Sequence, residues 1–327
     1  MSAEAREETV FDLIRRGCAA VADRAIHVRI RREEIARYAK RLSASDATIP
    51  PLDTEHHFVG DSDETLAFFV TLASVNFGSG YFPYLRKRPG LSGYFTVAAS
   101  LADRFRIEGP IPAEDLATMD ADACAAAFGQ DSKNEPIREL MSLFAAAWND
   151  LGRDLLARFD GSFMALVESA NHSAARLVEL LGKQAFFLDE SPYGHLIVPF
   201  HKRSQLLASD LALAFEGMGL GRFDDLDQLT IFADNLVPHV LRIDGLLLYS
   251  DELAGAIDRG DLIPAGSLEE VEIRACAVHA VESIRDALAA GGVRASSREL
   301  DQILWHRGQR PEIKQAGKRH RTRTVFY

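Results

Sequence analysis

Residues 137–158 read IRELMSLFAAAWNDLGRDLLAR. Ile137, Leu140, Met141, Phe144, Trp148, Leu151 and Leu155 recur every three or four positions. That is one apolar stripe along a helix, not the alternation of a strand, so the spacing predicts a long amphipathic helix on a core. Residues 271–288, VEIRACAVHAVESIRDAL, repeat the pattern through Val271, Val278, Val281, Ile284 and Leu288. Upstream, TLAFFVTLASVNF from Thr65 to Phe77 is apolar nearly all round, which predicts a central buried helix. Strand signals are confined to HLIVPF at 195–200 and the final TRTVFY. Ser250 before Asp251-Glu252-Leu253 reads as an N-cap with acids in the first turn. Pro238 fits the first turn of a short helix that ends near Gly245. The fold class is mainly α, a compact helical domain with a few short strands. No internal repeat is visible, and Pro110, Pro112, Pro192 and Pro264 mark loops rather than linkers. A single domain over 1–327 is expected, with an N-terminal helical region to about 130 and a C-terminal lobe over about 131–327.

The composition narrows the function. A chain of 327 residues buries a full core. No apolar run approaches the ~20 residues that span a bilayer. The start, MSAEAREETVFDLIRRGC, is acidic and lacks the basic, apolar and small-residue zones of a signal peptide. Cys18, Cys124 and Cys276 are odd in number and far apart, which suggests neither a disulfide frame nor a zinc site. A cytoplasmic monomer is the expectation. The net charge of −11 argues against gripping duplex nucleic acid, yet leaves room for one phosphate at a local basic cluster.

Candidate chemistry lies where polar side chains interrupt core-type sequence, because burying them unpaired is unfavourable. Residues 200–242 carry Lys202, Arg203, Gln205, Phe232 and Asp234 in such surroundings. Phe232 and Asp234 suit a planar base, the ring stacking and the carboxylate accepting from a guanine-like N1–H and amine. Asp234 as a helix cap before Pro238 is the plainer reading. In LDQILWHRGQ at 300–309, Asp301 and Trp305 stand one helical turn apart, and Leu300, Ile303 and Leu304 face the core. An indole beside a carboxylate raises its reactivity by desolvation, although a surface Asp at a helix start would look the same. The tail KRHRTR at 318–323 is the densest basic cluster and could hold a phosphate, with Lys202 and Arg203 as alternatives or as partners of Asp210. The closing VFY looks built to pack. His56 and His57 lack metal-ligand partners at suitable spacing, so a hydrogen-bonding role suits one of them. Asn76 ends the buried helix, and the loop GSGYFP after Phe77 is a plausible pocket wall without the lysine of a P-loop.

Taken in order, these pieces resemble the queuosine salvage family, the queuosine 5′-monophosphate N-glycosylases. The match runs through an early His, LASVNF at 72–77, GSF at 161–163, KRSQ at 202–205, FAD at 232–234, LYSDEL at 248–253, GSLEEVEIR at 266–274, DQILW at 301–305 and HRTR at 320–323 before the Tyr end. It departs at GSGYFP, where the family has an aromatic FW turn, and at Arg319, where an apolar residue is usual. The resemblance implies a helical fold similar to DNA glycosylases, no metal or other cofactor, and hydrolysis of queuosine 5′-monophosphate to queuine for reuse in tRNA modification. Queuine is a 7-deazaguanine, so protonation at N7 is closed to it. Catalysis then needs a carboxylate under the sugar and hydrogen bonds at the base edge. Asp234 is assigned to the base and Asp301 to the sugar, and the reverse assignment stays open. Gln302, Trp305 and His306 lie beside Asp301. His57 is expected to contact the cyclopentenediol arm or the base, and Asn76 and Phe77 to belong to the substrate pocket. The tail cations, with His320, Arg321 and Arg323 among them, are the candidates for the 5′-phosphate, and Lys202 is the alternative. A non-catalytic queuine carrier and a DNA-repair glycosylase are the competing readings.

Overall fold

A computed structural model describes residues 8–43 and 51–327; the first seven residues of the acidic start lie outside these. The chain opens with α1 (Val10–Ala22), β1 (Val28–Ile30), α2 (Ile35–Ser43), α3 (Ser62–Val75), α4 (Gly93–Glu108), α5 (Ala113–Thr118) and α6 (Ala121–Ala127). There follow α7 (Glu135–Arg158), α8 (Phe163–Glu168), α9 (Ala174–Leu181), β2 (Glu190–Tyr193), β3 (Leu196–Pro199) and α10 (Lys202–Ala214). The remainder is α11 (Val237–Ile243), β4 (Leu247–Tyr249), α12 (Asp251–Arg259), α13 (Leu268–Ala290), α14 (Ser297–Gln309) and α15 (Pro311–Gln315). The fold is mainly α.

Helix α3 is the central rod. Asp61 caps it in a reciprocal box with Glu64, and every side chain from Thr65 to Val75 is buried. Its all-round apolar sequence is explained by neighbours on all sides: α4, α7, α8 and α10. The stripe of α7 is buried as its spacing predicts, and Trp148 Nε1 donates to the Thr71 carbonyl of α3 at 3.2 Å. The second long helix, α13, starts on a Ser267 cap and is covered by α1 and α2. β1 pairs antiparallel with β4, which joins the start of the chain to its C-terminal part. Pro238 sits in the first turn of α11 and Ser250 caps α12, as expected.

The strand expected within HLIVPF forms as β3, paired with β2. The strand expected at TRTVFY does not form. Among the described residues, an isolated bridge between Leu262 and Arg321 is the sole ladder contact of the tail. The backbone groups of the tail bond a loop instead, Gly78 N–H donating to the Tyr327 carbonyl at 3.0 Å. Gly80 permits that approach, since a Cβ there would lie 2.4 Å from the Thr322 carbonyl oxygen. The tail is a packed strap with Tyr327 buried.

Candidate active site

The strap, the segment that follows α3, the start of α4, α10 and α14 surround a cavity of about 700 Å³. At its floor is Asp301, buried within α14 rather than exposed at the helix start. Its Oδ1 accepts from the Phe232 N–H at 2.9 Å. Burial first, and the neighbouring Asp234 second, push its carboxyl well above the ordinary range; the Phe232 bond and Lys202 oppose that.

Asp234 also lines the cavity, and its Oδ1 accepts from Leu236 N–H at 2.7 Å and Val237 N–H at 3.3 Å. Asp234 thus holds the entry to α11, whose N-cap is Leu236, and also walls the cavity. Phe232 lines the same wall. This short segment is not helical, so side chains elsewhere must fix it. Gln205 donates to the Phe200 carbonyl at 2.8 Å and accepts from Thr230 N–H at 2.9 Å. Arg274 donates through Nε to the Ala233 carbonyl at 3.0 Å while gripping Asp189 at 2.9 and 2.7 Å. Asp189 in turn accepts from Lys202 N–H at 3.0 Å, which fixes the first turn of α10.

The polar stretch 202–205 divides between two tasks. The Lys202 side chain lines the cavity beside Asp234 and Asp301, and burial lowers its pKa. Arg203 turns the other way. It donates to the carbonyls of Ala73 at 2.9 Å, Ser74 at 2.5 Å and Phe186, and its guanidinium lies over Phe77 and Phe187. It ties down the end of α3, where Asn76 and Phe77 enter the cavity wall.

The outer wall is aromatic. His57 contacts the Asp53 carbonyl through Nδ1 and the Tyr94 hydroxyl through Nε2, both at 2.8 Å. A carbonyl only accepts, so Nδ1 carries the proton; burial lowers the pKa and favours the neutral ring. Trp305 lies edge-on to Tyr94 and Phe95. Gln302 and His306 also line the cavity, and His306 Nδ1 lies 2.8 Å from the Gln302 carbonyl. His56 turns away to Asp53, and no metal-ligating group of three or more exists among the described residues.

Of the tail cations, Arg321 lines the cavity but donates to the Gly260 carbonyl. His320 and Arg323 are not in the lining. His320 is buried beneath the strap, and burial drives its pKa down to about 3. Arg323 pairs with Glu139 at 2.9 Å and lies over Tyr81. Lys318 lines the cavity too, and so do Lys87, Lys314 and Arg319, which lie close enough to act on one another. Burial, then Arg319 and Lys87, lower the pKa of Lys314, so the three sense one another. Sequence reasoning missed Lys87 and Lys314, which are far apart in the chain. Arg319 carried a signal: it is the residue that breaks the expected apolar position.

The family model described as queuosine salvage protein matches residues 56–327. A queuosine 5′-phosphate N-glycosylase/hydrolase of Sphaerobacter thermophilus is 37% identical over 94% of this chain and 95% of its own length. Proteins of the same description from Dictyostelium discoideum and Mus musculus are 39% and 36% identical, over 61% and 55% of this chain and 60% and 56% of their own lengths. The chain belongs to the queuosine salvage protein family.

Proposed function

We propose that the chain hydrolyses the N-glycosidic bond of queuosine 5′-monophosphate and releases queuine. The observation that carries this reading is Asp301, a buried carboxylate anchored by one oxygen and facing a nucleotide-sized cavity. The C1′–N9 bond breaks, water supplies the oxygen to C1′, and the base leaves as an anion that takes up the proton. Positive charge then grows on the ribosyl carbon. An ionised Asp301 is unfavourable in its buried ground state and is relieved as that charge appears, which is stabilisation specific to the transition state. Lys202 supports the ionised form. Asp234 accepts from the base edge, and Phe232 stacks on the ring. Lys87, Lys314 and Arg319 hold the 5′-phosphate, with Arg321 at the rim. His320 and Arg323 serve the strap rather than the ligand. A duplex-binding repair enzyme is the weaker reading for a chain of net charge −11. A carrier would have no use for a second carboxylate at the floor.

The test is to incubate the protein with queuosine 5′-monophosphate and with queuosine and follow free queuine by chromatography. Release preferring the monophosphate is the expected result. Equal release from both would remove the phosphate site, and tight queuine binding without release would make the protein a carrier.

A further inference from the structure

One wall of the cavity is a single helix face. Lys202, Leu206, Asp210 and Leu213 all line it, at the spacing that stacks side chains along α10. Lys202 and Asp210 are eight positions apart, about 12 Å along the axis. Lys202 stands with the two floor carboxylates. Asp210 stands at the aromatic end and acts electrostatically on Tyr94. Its exposed edge faces the cavity, and burial raises its pKa to about 7 against the opposing pull of Lys202 and Arg298. No cation lies within ion-pair distance of Asp210 among the described residues. Arg298, the second of these cations, donates to Ser209 Oγ at 3.2 Å. Gln302 lines the same cavity; its Nε2 reaches Ser209 Oγ at 3.5 Å and its Oε1 is buried without a hydrogen-bond partner among the described residues. The end of the cavity thus offers a carboxylate and a free acceptor under an aromatic wall, a set that suits an ammonium.

We infer that Asp210, with Gln302 and the Tyr94–Trp305 wall, binds the secondary ammonium of the aminomethyl arm and makes the site specific for cationic 7-substituents. This rests on the reaction proposed above, because it takes the substrate from it. Queuosine 5′-monophosphate has one cation at neutral pH, that ammonium, and it projects from C7, away from the phosphate. A base whose edge meets Asp234 sends its arm toward the far end of α10. Guanosine 5′-monophosphate has no such arm and leaves Asp210 without a partner.

The experiment pairs Asp210→Asn with ligands that differ at the arm. Hydrolysis is compared for queuosine 5′-monophosphate, its 7-aminomethyl analogue, which keeps an ammonium but no cyclopentenediol, and its neutral 7-cyano analogue. The variant is expected to lose about 30-fold or more in kcat/KM on both cationic substrates and to match wild type on the neutral one. An equal loss on all three would overturn the inference, as would a loss on the full substrate with none on the 7-aminomethyl analogue. Calorimetry with queuine and 7-cyano-7-deazaguanine gives the same comparison without turnover. Selective loss of queuine binding in the variant supports the inference even if no hydrolysis occurs, which would sink the reaction alone. Equal binding of queuine by both proteins sinks the inference alone.

Discussion

The first turn of α10 and the C-terminal strap both place adjacent or near-adjacent cations in an acidic protein, and each divides them. In α10, Lys202 faces the cavity and Arg203 faces backbone carbonyls. In the strap, Arg319 faces the cavity and Arg323 faces Glu139 and Tyr81. The local sequence is equally basic in both members of each pair. What separates them is what lies opposite. Arg203 meets the carbonyls of Ala73 and Ser74 at the end of α3, which a guanidinium fork reaches together with that of Phe186 and a compact ammonium would not. Lys202 meets carboxylates across open space.

The floor carboxylate carries the largest expected effect. Asp301→Asn should lower kcat by about 10²–10³-fold or more in single-turnover assays of queuine release. The sign of the pH dependence follows from burial. The Asp301 pKa is raised and the Lys202 pKa lowered, so kcat/KM should fall below the first and above the second, a bell narrower than free side chains would give. For stability, the folded state holds the Asp301 proton more tightly than the unfolded chain does. Stability is therefore lost as pH rises from the ordinary carboxylate range toward the raised value, and Asp301→Asn should remove that loss and raise Tm at pH 8. A variant with wild-type kcat would break the assignment.

The two α10 cations should then part company. Arg203→Met should destabilise by about 3 kcal/mol in urea unfolding, since it leaves buried carbonyls unpaired. Lys202→Met should keep its Tm within about 5 °C of wild type but lose the alkaline limb of the pH profile. Similar unfolding midpoints for the two would erase the distinction. In the strap, Arg319→Gln should raise KM about 10-fold for the monophosphate and leave the nucleoside unchanged. Arg323→Gln should be the mildest, below about 1 kcal/mol in stability with KM unaltered, because its ion pair is at the surface.

The helices were legible because periodicity is local: α7, α13 and the buried α3 follow from spacing alone. Pro238 and Ser250 gave their helix starts for the same reason. The tail did not read correctly as a strand, because its partner is a loop 240 or so positions away and Gly80 alone hints at the close approach. At the site, Phe232, Asp234, Asp301 and Trp305 stood out as polar or aromatic groups in apolar context, and all four line one cavity. Arg203 and Gln205 looked equally functional in sequence, yet their work, like that of Arg274, is to hold the walls, which only tertiary contacts reveal. Asp210 was within reach: it lies two helical turns from Lys202 on the same face.

That face gives the site a property beyond charge. A helix is a rod of fixed rise, so two charged groups on it form a gauge of fixed length. On the proposed assignment Lys202 supports Asp301 at the sugar and Asp210 takes the arm, so a ligand fits only if its sugar and its arm are that distance apart. Deleting one residue between Lys202 and Asp210 would shorten the gauge by about 1.5 Å and turn its far mark by about 100°. The dimension of the acceptable substrate is thus written in the number of residues of α10 rather than in the identity of any one of them.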